Sequence, residues 1–217
     1  QLFCYQPGAV REMPQVTGLS PYAKNDFVTF GSFNNLAKLS DDTLILWRAL
    51  LDEVPKSRLV LKGKTLSLED GRALILERLR SLQFPVDRVE LRPFSERYLE
   101  EYQDIDIALD TTPYTGGLTT CEALYMGVPV VTLRGRSHGA RFGASILTAA
   151  GLPELIAENE MEYVKIALGL ARHPEHLALN RQRLRTHLEH SALMNGKAYM
   201  RGVEGVYREL WRMFCKL

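Results

Sequence analysis

Cysteine is scarce in this 217-residue chain. Cys4, Cys121 and Cys215 are odd in number, far apart and without a CxxC pair. That spacing excludes a disulfide-stapled scaffold, offers no zinc or dithiol site, and favours a reducing compartment. Charge imbalance is lacking as well: Lys and Arg number 27 against 26 Asp and Glu, a formal net charge of +1. No long-range field therefore draws the chain onto nucleic acid or an anionic membrane. No apolar run approaches the roughly 18 residues of a membrane-spanning helix, and the amino terminus has no basic-then-apolar leader. A cytoplasmic protein is expected. Also missing are a GxGxxG opening a βαβ unit, a GxxxxGKS/T, a GxSxG and an HExxH. Dehydrogenase or epimerase, P-loop, hydrolase and zincin readings lose their main supports.

What the chain does contain is 46% hydrophobic residues, enough for a sizeable core. Short runs rich in branched residues alternate with longer amphipathic stretches, the pattern of βα units building a parallel sheet. The expected fold class is α/β, a Rossmann-like parallel sheet followed by C-terminal helices. Strands are predicted at Phe27–Phe30, Arg58–Lys62, Arg88–Leu91, Ile105–Leu109 and Val128–Leu133, with a weak sixth around Leu155 and Ile156. Between the first two, Ser40 is a plausible N-cap before Asp41 and Asp42, and Leu44, Trp47, Leu50 and Leu51 form one stripe. A helix over Ser67–Leu82 would turn Leu68, Ala73, Leu76 and Leu79 inward. A short acidic helix is expected over Ser95–Tyr102, and another over Thr119–Met126, ended by Gly127 as C-cap. Beyond Glu158 only helices are predicted: Met161–Arg172, Glu175–His190 and Gly196–Phe214. Residues 1–24, opening at Gln1 in a Pro- and Gly-dotted stretch, read as a connecting segment from a larger enzyme. Residues 25–157 form the ligand-binding domain, and 158–217 a helical extension packing on it.

The strongest constellation runs from Leu109 to Leu124, with Gly116-Gly117-Leu118-Thr119-Thr120 between a strand end and a helix start. Paired glycines let main chain approach a ligand. Thr119 and Thr120 add hydroxyl donors beside the free N–H groups and positive end of the helix, a combination suited to a diphosphate. Glu122, placed in the first turn, could accept hydrogen bonds from the adjacent hydroxyls of a ribose. The plain alternative is a tight turn, capping threonines and a dipole partner. In the second constellation, Gly31 to Lys38, Lys38 could neutralise a phosphate and stabilise a departing diphosphate without a metal; a solvated surface lysine is the alternative. The third, Arg134 to Gly143, carries three arginines, with His138 and Arg141 as candidate anion contacts or local caps. No side chain stands out as a general base.

These motifs resemble those of the O-GlcNAc transferase and SPINDLY-like glycosyltransferases, glycosyltransferase family 41. Phe27 to Lys38, Asp106 to Asp110, Thr119 to Leu133 and His138 to Ser145 are similar to successive family blocks, in order, over nearly the whole chain. The resemblance implies a GT-B enzyme of two Rossmann-like domains. This chain would be the carboxy-terminal, donor-binding one, inactive in transfer without its amino-terminal half and the tetratricopeptide region of the parent. It implies transfer of a sugar, GlcNAc foremost, from a nucleoside diphosphate (UDP-linked) to Ser or Thr of an acceptor protein, with no metal ion. Lys38 would be the catalytic cation. Asn35 and Lys38 would contact the diphosphate, the turn from Gly116 through Leu118 to Thr119 and Thr120 would cradle it, Glu122 would hold ribose, and Pro93 to Tyr98, with Ser95, would border the base. The family commonly has Thr where this chain has Leu118, which offers only its backbone N–H, and His where it has Tyr98. A non-catalytic nucleotide-binding or docking module with a decayed pocket is the alternative.

Overall fold

The computed structural model describes residues 2–8, 12–16 and 18–216. Six strands, β1 (Val28–Ser32), β2 (Ser57–Lys62), β3 (Val89–Arg92), β4 (Ile107–Leu109), β5 (Val130–Leu133) and β6 (Ile156–Ala157), form a sheet in the order β3-β2-β1-β4-β5-β6. Every pairing is parallel. The chain steps outward from β1 to β3, then returns to lay β4 against the other side of β1. The order therefore reverses between β1 and β4, the point where sheets of this kind open a crevice at the carboxyl ends of their strands.

Because side chains alternate along a strand, each strand feeds two cores. Phe30, Leu59, Leu61, Ile107, Leu109 and Val131 point to one face, where they meet α2 (Asp41–Glu53), α3 (Glu69–Ser81) and α6 (Glu160–Ala171). Val60, Ala108, Val130 and Ile156 point to the other, against α4 (Leu118–Tyr125) and α5 (Phe142–Ala150). The predicted stripe Leu44, Trp47, Leu50 and Leu51 is wholly buried. Truncating Leu50 to Ala would cost about 2–5 kcal/mol. Trp47 donates its indole N–H to the Tyr163 hydroxyl (3.1 Å), which donates in turn to the carbonyl of Asp110 (3.1 Å), tying α2 and α6 to the end of β4.

α7 (Pro174–Glu189) is anchored by two cations: buried Arg181 donates to the carbonyls of Ile105 (2.8 Å) and Tyr102 (2.7 Å), and Arg185 to those of Tyr125 (2.7 Å) and Pro14 (2.7 Å). The approach at Arg181 is close enough that a Cβ on Gly127 would stand 2.6 Å from the Arg181 carbonyl oxygen, and Gly127 has φ +78°. Only glycine meets both demands, as the predicted helix stop requires. α1 (Pro21–Asn25) is capped by Ser20, and α8 (Gly196–Phe214) has no buried residue, leaving Val206, Tyr207, Leu210 and Trp211 exposed. No helix among the described residues is long and apolar enough to cross a membrane.

Two local readings differ from the structure. In α3 the inward residues are Ile75 and Leu79 with Leu76 beside them, while Leu68 and Ala73 are exposed. Leu68 is the N-cap, extended after a 3₁₀ turn at Lys64–Ser67, so it stands outside the helical register from which a stripe could be counted. Ser95–Tyr102 does not form an α-helix; a 3₁₀ turn covers Glu100–Asp104. The segment is pinned by side chains instead. Buried Lys62 donates to the Pro93 carbonyl (2.6 Å) and to Glu101 (2.7 Å), and the Ser95 hydroxyl donates to the same carboxylate.

Candidate nucleotide-sugar site

The site lies where the carboxyl ends of β1 and β4 part, and α4 begins it. α4 starts at Leu118 with Gly117 as N-cap, no side-chain cap and no acidic residue in its first turn. Its first helical bond runs from the Cys121 N–H to the Gly117 carbonyl (3.2 Å), and among the described residues the N–H groups of Leu118, Thr119 and Thr120 have no protein acceptor. Leu118 is 60% exposed and Thr119 half-buried at the start of the helix, while Thr120 is buried beneath them. Orphan N–H groups at the positive end of a helix are a ready anion site.

Beneath the turn sits Asp110, fully buried. Its Oδ1 accepts from the N–H of Gly116 (2.6 Å), the N–H of Thr111 (3.0 Å) and Nδ2 of Asn34 (3.1 Å), and its Oδ2 accepts from the Thr132 hydroxyl (2.7 Å). Burial pushes the carboxyl above the ordinary aspartate range, and these donors oppose the rise. The other end of the Asn34 amide, Oδ1, accepts from the Thr119 hydroxyl (2.7 Å). Gly116 has no room for a side chain, since a Cβ there would stand 2.4 Å from Thr120 Oγ1 and 3.0 Å from Asp110 Oδ1.

Lys38 closes one side. It ends a 3₁₀ turn (Leu36–Lys38), donates from Nζ to the Thr115 carbonyl (3.0 Å) and lies 4.2 Å from the centre of the Tyr114 ring. Desolvation lowers its pKa, while the charge of Asp110 works to raise it. Asn35 is the exposed N-cap of this turn and accepts from the Ala37 N–H (3.1 Å). The third loop is tied to the first through Thr115, whose N–H and hydroxyl both donate to the Gly139 carbonyl (3.1 and 3.0 Å) and whose hydroxyl oxygen accepts from the Gly143 N–H (3.1 Å). His138 packs edge-on against Phe142, and Arg141 donates to the Gly135 carbonyl (3.1 Å). Phe142 also meets Tyr114 and Phe3 edge-on, so an aromatic group borders the Lys38 side.

On the opposite side the Tyr98 hydroxyl donates to Glu122 Oε1 (2.5 Å). Since α4 begins at Leu118, Glu122 is its fifth residue and lies one turn below the open amides rather than in the first turn. Burial and the neighbouring Glu122 push the Cys121 thiol up to about 12, so it carries no nucleophilic role. The structure thus brings Lys38, Gly116, Gly117, Leu118, Thr119 and Thr120 together, with Tyr98 and Glu122 beside them. Ser95 is held to Glu101, and His138 and Arg141 make local contacts. Sequence reasoning missed the buried hub of Asp110, Asn34 and Thr132. The signals for it were Asp110 directly after one strand and the Asn34-Asn35 pair just beyond another.

Comparison with known proteins places this geometry. The sequence profile of glycosyl transferase family 41 matches residues 9–203. The chain belongs to glycosyl transferase family 41. Within that family it is 43% identical over 200 residues to the probable UDP-N-acetylglucosamine–peptide N-acetylglucosaminyltransferase SPINDLY of Arabidopsis thaliana, covering 91% of this chain and 22% of the relative. It is 32% identical over 192 residues to the UDP-N-acetylglucosamine–peptide N-acetylglucosaminyltransferase of Caenorhabditis elegans, covering 88% and 16%. A mutant O-GlcNAc transferase from Thermobaculum terrenum superposes with TM-score 0.80 and 33% identity over 98% of this chain and 40% of that one. The chain therefore spans about a fifth of the length of the curated family 41 relatives it matches. Its fold is that of one Rossmann-like half of a GT-B family 41 protein.

Proposed function

We propose that this chain is the donor-binding half of a protein O-glycosyltransferase. It holds a nucleoside diphosphate sugar, UDP-GlcNAc foremost, and stabilises the diphosphate as the sugar passes to a Ser or Thr hydroxyl of an acceptor protein. The observation that carries the reading is the open head of α4, with free N–H groups at Leu118, Thr119 and Thr120 and the Lys38 ammonium across the turn. In the reaction the bond between anomeric carbon and phosphate oxygen breaks and the diphosphate keeps the electron pair. Amides and an ammonium fixed where that charge develops favour the transition state over the ground state.

Leu118 fits this role despite replacing the family's usual threonine, because what the turn offers at that position is its amide. Lys38 is the catalytic cation, reaching the diphosphate on release from the Thr115 carbonyl. Glu122, kept in place by Tyr98, takes the ribose, and the segment around Pro93 to Tyr98 borders the base. Transfer uses no metal ion, since amides and Lys38 supply the positive side. The proton acceptor and acceptor-protein groove belong to the amino-terminal and tetratricopeptide portions of the larger protein, so this chain alone binds donor without efficient turnover. The free state of Cys4, Cys121 and Cys215 supports a cytoplasmic setting.

Calorimetry with UDP, GDP and their sugars tests the reading. Saturable binding of one nucleotide by the folded chain is expected, with the same affinity in excess chelator. A folded chain that binds neither nucleotide would remove it.

A further inference from the structure

The bonds around Asp110 force the position of one proton. Oδ1 of Asp110 accepts two backbone N–H groups, from Thr111 and Gly116, so it is an acceptor whatever the ionisation of the carboxyl. The group of Asn34 that faces it must therefore be the NH₂ end, which fixes the amide orientation without reference to hydrogen positions. Asn34 Oδ1 then faces Thr119, and because a carbonyl oxygen can only accept, the Thr119 hydroxyl must donate to it. The oxygen of Thr119 is left with lone pairs alone. A phosphate oxygen cannot take a hydrogen bond from it unless the bond to Asn34 is given up.

We propose that Asp110 and Asn34 are positioning residues of the anion site: they commit the Thr119 hydroxyl proton inward and leave the diphosphate to the backbone N–H groups of Leu118, Thr119 and Thr120. This rests on the donor-binding reading and refines it. It departs from the sequence expectation that Thr119 offers its hydroxyl to phosphate. Three segments that the sequence keeps far apart converge on one carboxylate: the end of β1 through Asn34, the turn through Gly116 and β5 through Thr132. Thr119 acts on the anion through its amide, and its side chain acts by holding the turn to that hub.

A double-mutant cycle on UDP affinity, measured by calorimetry on the 217-residue chain, tests the relay. Asn34→Ala and Thr119→Val are each expected to weaken UDP by about three- to tenfold, the scale of one net hydrogen bond. The double variant should be no weaker than the weaker single, because the same relay is broken once. Thr119→Ser should restore native affinity, while Lys38→Ala, acting separately, should multiply with Thr119→Val. If the losses from Asn34→Ala and Thr119→Val multiply, the hydroxyl reaches the ligand directly and the relay is overturned while donor binding stands. If the unsubstituted chain binds neither UDP nor GDP, the donor reading falls and the relay with it. Should Asn34→Ala not fold, Asn34→Ser completes the same cycle.

Discussion

Two helices of this chain begin at the carboxyl edge of the sheet and are finished in opposite ways. α6 opens with Asn159, whose side chain accepts from the Glu162 N–H (2.9 Å), and it carries Glu160 and Glu162 in its first turn. One of its leading amides is capped by its own Asn159, and its dipole is met by its own carboxylates. α4 opens with Gly117, has neither cap nor acid, and leaves three amides without protein acceptors among the described residues. α2, capped by Ser40 and charged by Asp41 and Asp42, follows the α6 pattern. Under the proposed function the open head of α4, unlike the capped heads of α2 and α6, is completed by the ligand.

The most forceful way to break the contrast is to make α4 resemble α6. Leu118 is exposed at the first helical position, so Leu118→Asp places a carboxylate at the positive end without disturbing the core. UDP affinity should fall by about a hundredfold or more, the scale of a like charge set against a bound anion. Thermal stability should hold or rise by about 0.3–1 kcal/mol through the helix dipole. Calorimetry and a thermal melt on one sample read both, and a loss of stability in step with binding would contradict the contrast. Next in size, Lys38→Ala should lower UDP affinity by about tenfold, the order of one charge-assisted hydrogen bond, with Lys38→Arg intermediate. In the full-length protein the same change should depress kcat more than KM, which steady-state kinetics resolves.

The converse sharpens the contrast. Asn159→Ala should cost about 1 kcal/mol of stability, read by urea unfolding, and leave UDP affinity unchanged. The smallest effect concerns the two carboxylates that bracket β4. Asp106, at its amino end, accepts the N–H groups of Thr29 (2.9 Å) and Tyr22 (3.2 Å), and burial raises its pKa to about 6. A folded pKa above the unfolded value means that its contribution to stability is complete below pH about 4 and is lost as pH rises through about 6. A carboxyl carbon resonance of Asp106 titrating near pH 6, with no change in UDP affinity from Asp106→Asn, is the expected outcome.

Much of this was legible beforehand. Six strands appeared as short branched runs because a parallel sheet covered on both faces needs apolar side chains at nearly every position. The loop Gly116 to Thr120 stood out because a glycine pair and threonines before a helix suit an anion, a pattern that a tight turn with capping threonines shares. What could not be read were choices between neighbours. Asn34 and Asn35 are adjacent and chemically identical, yet Asn34 enters the buried hub while Asn35 caps an exposed turn. Periodicity placed Leu68 inside α3, whereas a 3₁₀ turn shifted the register and exposed it. Ser95–Tyr102 has the composition of a short helix, but Lys62 and Glu101 hold its backbone otherwise.

The sequence by itself determined the layered α/β fold, the order of its elements and the chemical character of the turn that begins α4. These follow from hydrophobic period, helix-end chemistry and glycine placement, all local in the chain. Only the tertiary structure decided that Asp110 would gather Asn34, Gly116 and Thr132, and so which way the Thr119 hydroxyl points. The reason is physical: a buried carboxylate takes whatever donors the fold delivers, and those donors come from strands and turns as many as 98 residues apart, from Asn34 to Thr132, brought together by the reversal of strand order between β1 and β4.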